Sequence, residues 1–165
     1  MNCQIRHWKL SDANALVSIM NNKKIQDNLR DGLSFPYSYI DAVEFIYDMQ
    51  EEELAFAITM NGRVIGSIGA FRNQNIHYRT AEIGYYIDEA LWGKGLGTSA
   101  VKELCAFVFE NTDIVRLFAE PFADNFASCK VLEKAGFVLE GILRKNAEKN
   151  GRIIDMKMYA FVLDS

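Results

Sequence analysis

The chain predicts one α+β domain over residues 1–165, with a mixed, partly antiparallel central sheet flanked by helices. That class rests on turn chemistry, on spacing and on size. Asn61-Gly62 and Asn150-Gly151 each lie between β-prone runs, the signature of two-residue hairpin turns and so of antiparallel pairing. In the second half, apolar runs that read as strands are separated by amphipathic helices, which implies crossover connections there. The 165 residues are 50% hydrophobic with only 2 prolines, enough to bury a core and unlike a disordered chain. No internal repeat or linker marks a second domain.

Gln4 to Leu10 reads as the first strand. Ser11 offers an N-cap and Asp12 an acidic first turn to a helix whose apolar stripe is Leu16, Ile19 and Met20. Asn21-Asn22 ends it, and a short helix follows around Ile25 to Leu29. Asp31 to Tyr39, with Gly32 and Phe35-Pro36-Tyr37, reads as an aromatic loop. Asp41 to Gln50 is helical, with Val43, Phe45, Ile46 and Met49 inward. Leu54 to Met60 and Arg63 to Phe71 form the first hairpin. After the polar loop Arg72 to Arg79, Thr80 to Asp88 is the next strand. Gly95 to Glu110 is a helix that buries Ala100, Val101, Leu104, Phe107 and Val108. Ile114 to Ala119 is a strand, and Asp124 to Lys134 a helix that Gly136 ends. Phe137 to about Lys145 and Arg152 to Leu163 are the last two strands.

Bulk properties exclude several functions. With 18 basic and 22 acidic residues, a net charge of −4 and no like-charge run, nucleic acid is not the expected partner. Met1 to Leu10 mixes polar and apolar residues, unlike a signal peptide, and no apolar run suits a bilayer, so no membrane partner is expected. Cys3, Cys105 and Cys129 lack motif spacing and suit a reduced, cytoplasmic setting. His7 and His77 form no cluster with them, so no metal is expected.

The chemistry is carried by Ala81-Glu82-Ile83-Gly84-Tyr85-Tyr86-Ile87 and, shortly after, Trp92-Gly93-Lys94-Gly95-Leu96-Gly97-Thr98. A strand runs into alternating glycines and then into a helix. Glycines let main-chain N–H groups approach a ligand, and the helix N-terminus favours an anion. The spacing is G-x-G-x-G, which fits neither the dinucleotide fingerprint nor the NTP loop.

A second block resolves the choice: Asn125-Phe126-Ala127-Ser128, then Val131-Leu132-Glu133-Lys134-Ala135-Gly136-Phe137, then Leu139-Glu140-Gly141. With A-E-I-G-Y-x-I, W-G-K-G-x-G-T and Gly151 to Asp155 in order, the chain resembles the GNAT acyl-CoA-dependent N-acetyltransferases. It is most similar to the RimJ/RimL-like branch that acetylates N-terminal amines of ribosomal proteins. The blocks span Thr80 to Asp155, about half the chain.

The resemblance implies a GNAT-like sheet in which the fourth strand splays from the fifth to admit the pantetheine arm of acetyl-CoA. The backbone of Tyr86, Ile87 and Asp88 would pair with that arm. The amides of Lys94, Gly95, Leu96, Gly97 and Thr98 would hold the pyrophosphate, and Asn125 would contact the arm or cap its own helix. Trp92 stands where the family often has Gln or Arg, so an arginine–phosphate contact is absent and Lys94 would substitute for it in part. Glu82 matches the general base of histone-type members; its structural alternative is a strand carboxylate paired with Arg79 or Arg63. Ser128 matches a serine placed near the departing thiolate. Leu132 replaces the usual tyrosine acid, and Ala147 replaces a late glutamate, leaving Glu148 one step off register.

Phe35 and Tyr37 lie in the segment where the family shapes its acceptor site, whereas Trp8, Cys105 and Cys129 read as core. The implied reaction is direct attack of a primary amine, on a protein N-terminus or a small molecule, on the thioester. At pH 7 an α-amine is roughly a tenth neutral and a lysine only about 0.04%, so an α-amine asks less of its base. The alternative is a non-catalytic CoA-binding or sensing domain on the same scaffold. A homodimer is an expectation from the family alone.

Overall fold

The computed structural model describes residues 2–164. Seven strands, β1 (Gln4–Arg6), β2 (Ala55–Met60), β3 (Arg63–Arg72), β4 (Thr80–Ile87), β5 (Arg116–Ala119), β6 (Val138–Lys149) and β7 (Arg152–Val162), form one sheet in the order β1-β2-β3-β4-β5-β7-β6. Every neighbouring pair is antiparallel except β4–β5, which is parallel. The helices are α1 (Ala13–Met20), α2 (Lys23–Gln26), α3 (Tyr39–Gln50), α4 (Leu96–Asn111) and α5 (Phe126–Lys134). Both Asn-Gly turns form as expected. Asn61 and Gly62 have φ of 52° and 78°, Asn150 and Gly151 of 52° and 77°, the positive pair that matches strand twist.

Each sheet face has its own core. Ile68, Ile83, Val101, Leu104, Leu117 and Leu132 pack together beneath α4 and α5. Trp8, Leu16, Met20, Ile46 and Ala57 pack beneath α1 and α3. The period of two in β4 divides the faces: Ile83, Tyr85 and Ile87 belong to the first core, Tyr86 to the second. Trp8 is 3% exposed and edge-on to Phe45, and the three cysteines are buried and free, as core residues should be.

Three expected boundaries shift for local reasons. The first strand stops at Arg6 because that guanidinium turns to grip Asp12 with two bonds of 2.8 and 2.9 Å, while Asp12 also accepts the Lys9 N–H at 2.9 Å. Asp12, not Ser11, therefore organises the turn into α1. The short second helix begins at Lys23, capped by Asn22 Oδ1, which accepts from the N–H groups of Lys24 and Ile25. β6 runs on to Lys149, past two irregularities in its pairing with β7. At the second, Lys145 has φ 51° and its N–H is caught by Asp155 Oδ1 at 2.8 Å.

Candidate active site

The site begins where the sheet opens. β4 and β5 pair only from Thr80–Arg116 to Glu82–Phe118. Beyond that, β4 continues through Ile87 with no strand on its β5 side. Backbone groups of a strand alternate between neighbours. Asp88 N–H bonds to Ile65 O and Thr80 O accepts from Asn73 on the β3 side, whereas Arg79 O accepts Val115 N–H on the β5 side. With no register shift between β3 and β4, the even-numbered residues face β3, and Ile83, Tyr85 and Ile87 turn their backbone to the opening. Of Tyr86, Ile87 and Asp88, which the resemblance offered as backbone partners, only Ile87 has that geometry. Its carbonyl accepts the Trp92 indole N–H at 2.8 Å, which ties the glycine loop to the end of β4.

The loop then enters α4 through two left-handed glycines, Gly93 at φ 76° and Gly95 at φ 77°. Gly95 is the N-cap and no side chain caps the helix, so the leading N–H groups from Gly95 to Thr98 are left for a ligand. Gly97 sits against Val131, where a Cβ would meet Cγ2 at 3.4 Å, so α4 and α5 meet closely.

A cavity of about 560 Å³ joins this helix terminus to the β4–β5 opening. Gly95, Leu96, Gly97 and Thr98 line it, as do Tyr86, Ile87, Asn125 and Ser128; Lys94 and Asp88 are not part of its wall. Asn125 Oδ1 accepts Ser128 N–H at 3.2 Å, so it caps α5 while facing the cavity. Across the opening, the Tyr85 hydroxyl lies 2.7 Å from Ser128 Oγ. Burial pushes the Tyr85 phenol up to about 12, against the lowering effect of Ser128. Lys130 and Lys134, one turn apart on α5, give the same cavity a cationic edge.

On the other sheet face the wall is Asn28, Leu29, Arg30 and Glu120. Glu82 is not part of the wall but stands behind it, bonded to Arg30 at 3.0 Å, not to Arg79 or Arg63; Arg79 instead bonds to Asp113 O. Burial raises the Glu120 carboxyl above its ordinary range; Glu82 adds to the rise and Arg30 opposes it. Phe35 and Tyr37 are not on the wall. Phe35 is exposed beneath the Lys23 ammonium, and Tyr37 is 5% exposed, its hydroxyl donating to Asp41 O at 3.3 Å. Glu148 is exposed in the β6–β7 hairpin, and Leu132 is wholly buried.

Arg30, Glu120, Lys130 and Lys134 were missed in the sequence. Glu120 had a signal: a carboxylate just past the C-terminal end of a central parallel strand, where open sheets bind ligands. Arg30 had none, because it depends on how the α2 segment folds over β4. Among the described residues, no group of three or more His, Cys, Asp or Glu could hold a metal, and no helix is long and apolar enough to cross a membrane.

Comparison with known proteins agrees with this geometry. The probable N-acetyltransferase YjcK of Bacillus subtilis (strain 168) is 37% identical over 115 residues, which is 68% of this chain and 64% of the relative. The ribosomal-protein-serine acetyltransferase of Escherichia coli (strain K12) is 32% identical over 110 residues, 67% of this chain and 61% of that protein. The chain thus spans a little under two thirds of these relatives' lengths. Among solved structures, it is similar to the ribosomal L7/L12 alpha-N-protein acetyltransferase RimL in complex with coenzyme A, with TM-score 0.86, 24% identity, and 98% and 94% of the two chains covered. It is also similar to the microcin C7 self immunity acetyltransferase MccE in complex with acetyl-CoA and AMP, with TM-score 0.82, 26% identity, and 98% and 92% covered. The family described as the acetyltransferase (GNAT) domain matches residues 3–138, and the chain belongs to it.

Proposed function

We propose that this protein transfers an acetyl group from acetyl-CoA to a primary amine by direct attack, with a protein N-terminal α-amine as the favoured acceptor. One observation carries the reading: the uncapped N-terminus of α4 opens into the same cavity as the unpaired edge of β4. An anion at the helix and an extended amide chain along the strand are together the shape of a CoA thioester. The N–H groups of Gly95 to Thr98 hold the pyrophosphate, with Lys130 and Lys134 beside the phosphates. The arm pairs with Ile83, Tyr85 and Ile87, and Asn125 meets it from α5. That brings the thioester to Ser128 and Tyr85, opposite Glu120 and Glu82.

On the acceptor side, Glu120 and Glu82 take the proton that the amine loses as it attacks. A carboxyl raised by burial is closer in pKa to the amine it serves than an ordinary one. The α-amine is favoured because it is neutral more often than a lysine at pH 7. Similarity to a ribosomal-protein-serine acetyltransferase supports the same choice. The test is release of CoA thiol on mixing the protein with acetyl-CoA and a panel of N-terminal peptides, polyamines and aminoglycosides. Turnover highest with peptides supports the reading, and turnover confined to small amines replaces the acceptor. Saturable CoA binding without turnover on any amine would instead establish a CoA-binding or sensing domain.

A further inference from the structure

The cavity holds one polar contact that the proposed chemistry has not used, the hydroxyl pair of Tyr85 and Ser128. Tyr85 projects from the part of β4 that pairs with β3 but has no strand on its β5 side, and Ser128 from the first turn of α5. Their hydroxyl oxygens are 2.7 Å apart, and the Tyr85 hydroxyl is also 3.2 Å from Ser128 O. Both residues line the cavity. One turn further along α5 stands Leu132, which is wholly buried and offers no donor. A phenol is nevertheless present beside that helix turn, supplied from the opposite wall.

We propose that Tyr85 is a positioning residue that orients the Ser128 hydroxyl toward the sulfur of the departing CoA. The inference rests on the acetyl-transfer reading above. A serine hydroxyl carries one proton, which is spent if it donates to Tyr85; a neighbour that donates to the serine oxygen instead leaves that proton free for the sulfur and fixes its direction. Tyr85 is that donor when its O–H turns from Ser128 O to Ser128 Oγ, which frees the serine O–H. As the amine nitrogen bonds to the acetyl carbon, the C–S bond breaks and its electron pair stays on sulfur. The proton from nitrogen goes to the carboxylates on the acceptor side. CoA leaves as a thiolate that accepts the Ser128 hydrogen bond. No proton need leave Tyr85, whose phenol binds its proton far more tightly than a thiol does. The hydrogen bond strengthens as negative charge builds on sulfur, which is how a fixed donor lowers a barrier rather than binding substrate.

Tyr85→Phe deletes one oxygen and keeps the ring. The expected result is a fall in kcat of about tenfold with KM for acetyl-CoA unchanged, the pattern of an interaction made in the transition state. In the Ser128→Ala background the same change should cost less than about twofold, because the two hydroxyls act as a unit. Binding gives a readout that needs no turnover. Above the thiol pKa, wild-type protein should prefer CoA to desulfo-CoA, and both Tyr85→Phe and Ser128→Ala should erase that preference while keeping desulfo-CoA affinity. A Tyr85→Phe protein with wild-type kcat and an intact CoA preference overturns the inference, as do losses that simply multiply in the double variant. Saturable CoA binding without turnover would sink the acetyl-transfer reading while the CoA preference still judges Tyr85. Failure of wild-type protein to bind either compound overturns both.

Discussion

At the scale of single residues, charge placement around Glu120 governs the expected pH dependence. A base works when ionised, so the acid limb of kcat/KM follows its pKa. Burial lifts Glu120, Glu82 lifts it further and Arg30 lowers it. Arg30→Ala removes the opposing cation, so the acid limb should move to higher pH. Glu82→Gln removes a neighbouring negative charge, so the limb should move to lower pH. Glu120→Gln should abolish the limb and lower the plateau by about 10²–10⁴ if Glu120 is the principal base. A pH–rate profile of the three variants decides the matter; a limb that vanishes in Glu82→Gln and persists in Glu120→Gln would give the base role to Glu82. This trio also shows how far a sequence can be read. Glu82 stood out because it lies inside a recognisable strand motif. Its partner Arg30 lies 52 positions away in the chain, in a segment without periodicity. Phe35 and Tyr37 drew notice for the opposite reason: they are aromatic in a loop, and aromaticity does not distinguish a residue that faces a ligand from one that seals a core.

At the scale of elements, the left-handed entrance to α4 and the Arg6–Asp12 clasp ahead of α1 make separate predictions. A Cβ at Gly95 would meet no atom within 4 Å, so Gly95→Ala is penalised by its φ of 77° alone. That conformation costs a non-glycine residue roughly 1–2 kcal/mol. Gly95→Ala should therefore melt a few degrees lower and bind CoA more weakly, whereas Gly84→Ala, with equal room and ordinary φ, should melt like wild type. The Asp12 carboxylate is buried, which raises its pKa, but the Arg6 guanidinium and the Lys9 N–H outweigh burial and hold it below the ordinary value. A depressed carboxylate stabilises the fold above its unfolded pKa and loses that contribution as pH falls through the folded one. Asp12→Asn should thus cost about 1–3 kcal/mol at pH 7 in urea unfolding, and the gap to wild type should close below about pH 4. Elements with strong local signals, the two Asn-Gly turns and the amphipathic α4, were legible from the sequence, except that Phe107, expected on the buried face of α4, lies at its margin, 37% exposed and edge-on to Phe56. The end of the first strand was not, because the clasp that stops it is an ion pair, and hydrophobic pattern is silent about ion pairs.

At the scale of the whole molecule, the sheet is two antiparallel blocks, β1–β4 and β5–β7–β6, joined by a parallel seam of three residue pairs. The overall order of elements was readable from the sequence, because hairpin turns and crossover helices dictate which strands run antiparallel. The length of the seam was not, since it depends on where β5 stops after Ala119 while β4 runs on to Ile87. One core beneath α4 and α5 runs across both blocks, but along the sheet itself an extended ligand lying in the gap would act as a clasp between them. Amide hydrogen exchange gives this a direct reading. Acetyl-CoA should slow exchange not only at Ile83, Tyr85 and Ile87, which would bond to it, but also in β5, at Leu117 within the seam and Ala119 just beyond it. Protection confined to β4 would mean that the blocks move as one already. Protection on both sides would make the donor thioester a folding partner as well as a reactant, the temporary eighth member of a seven-stranded sheet.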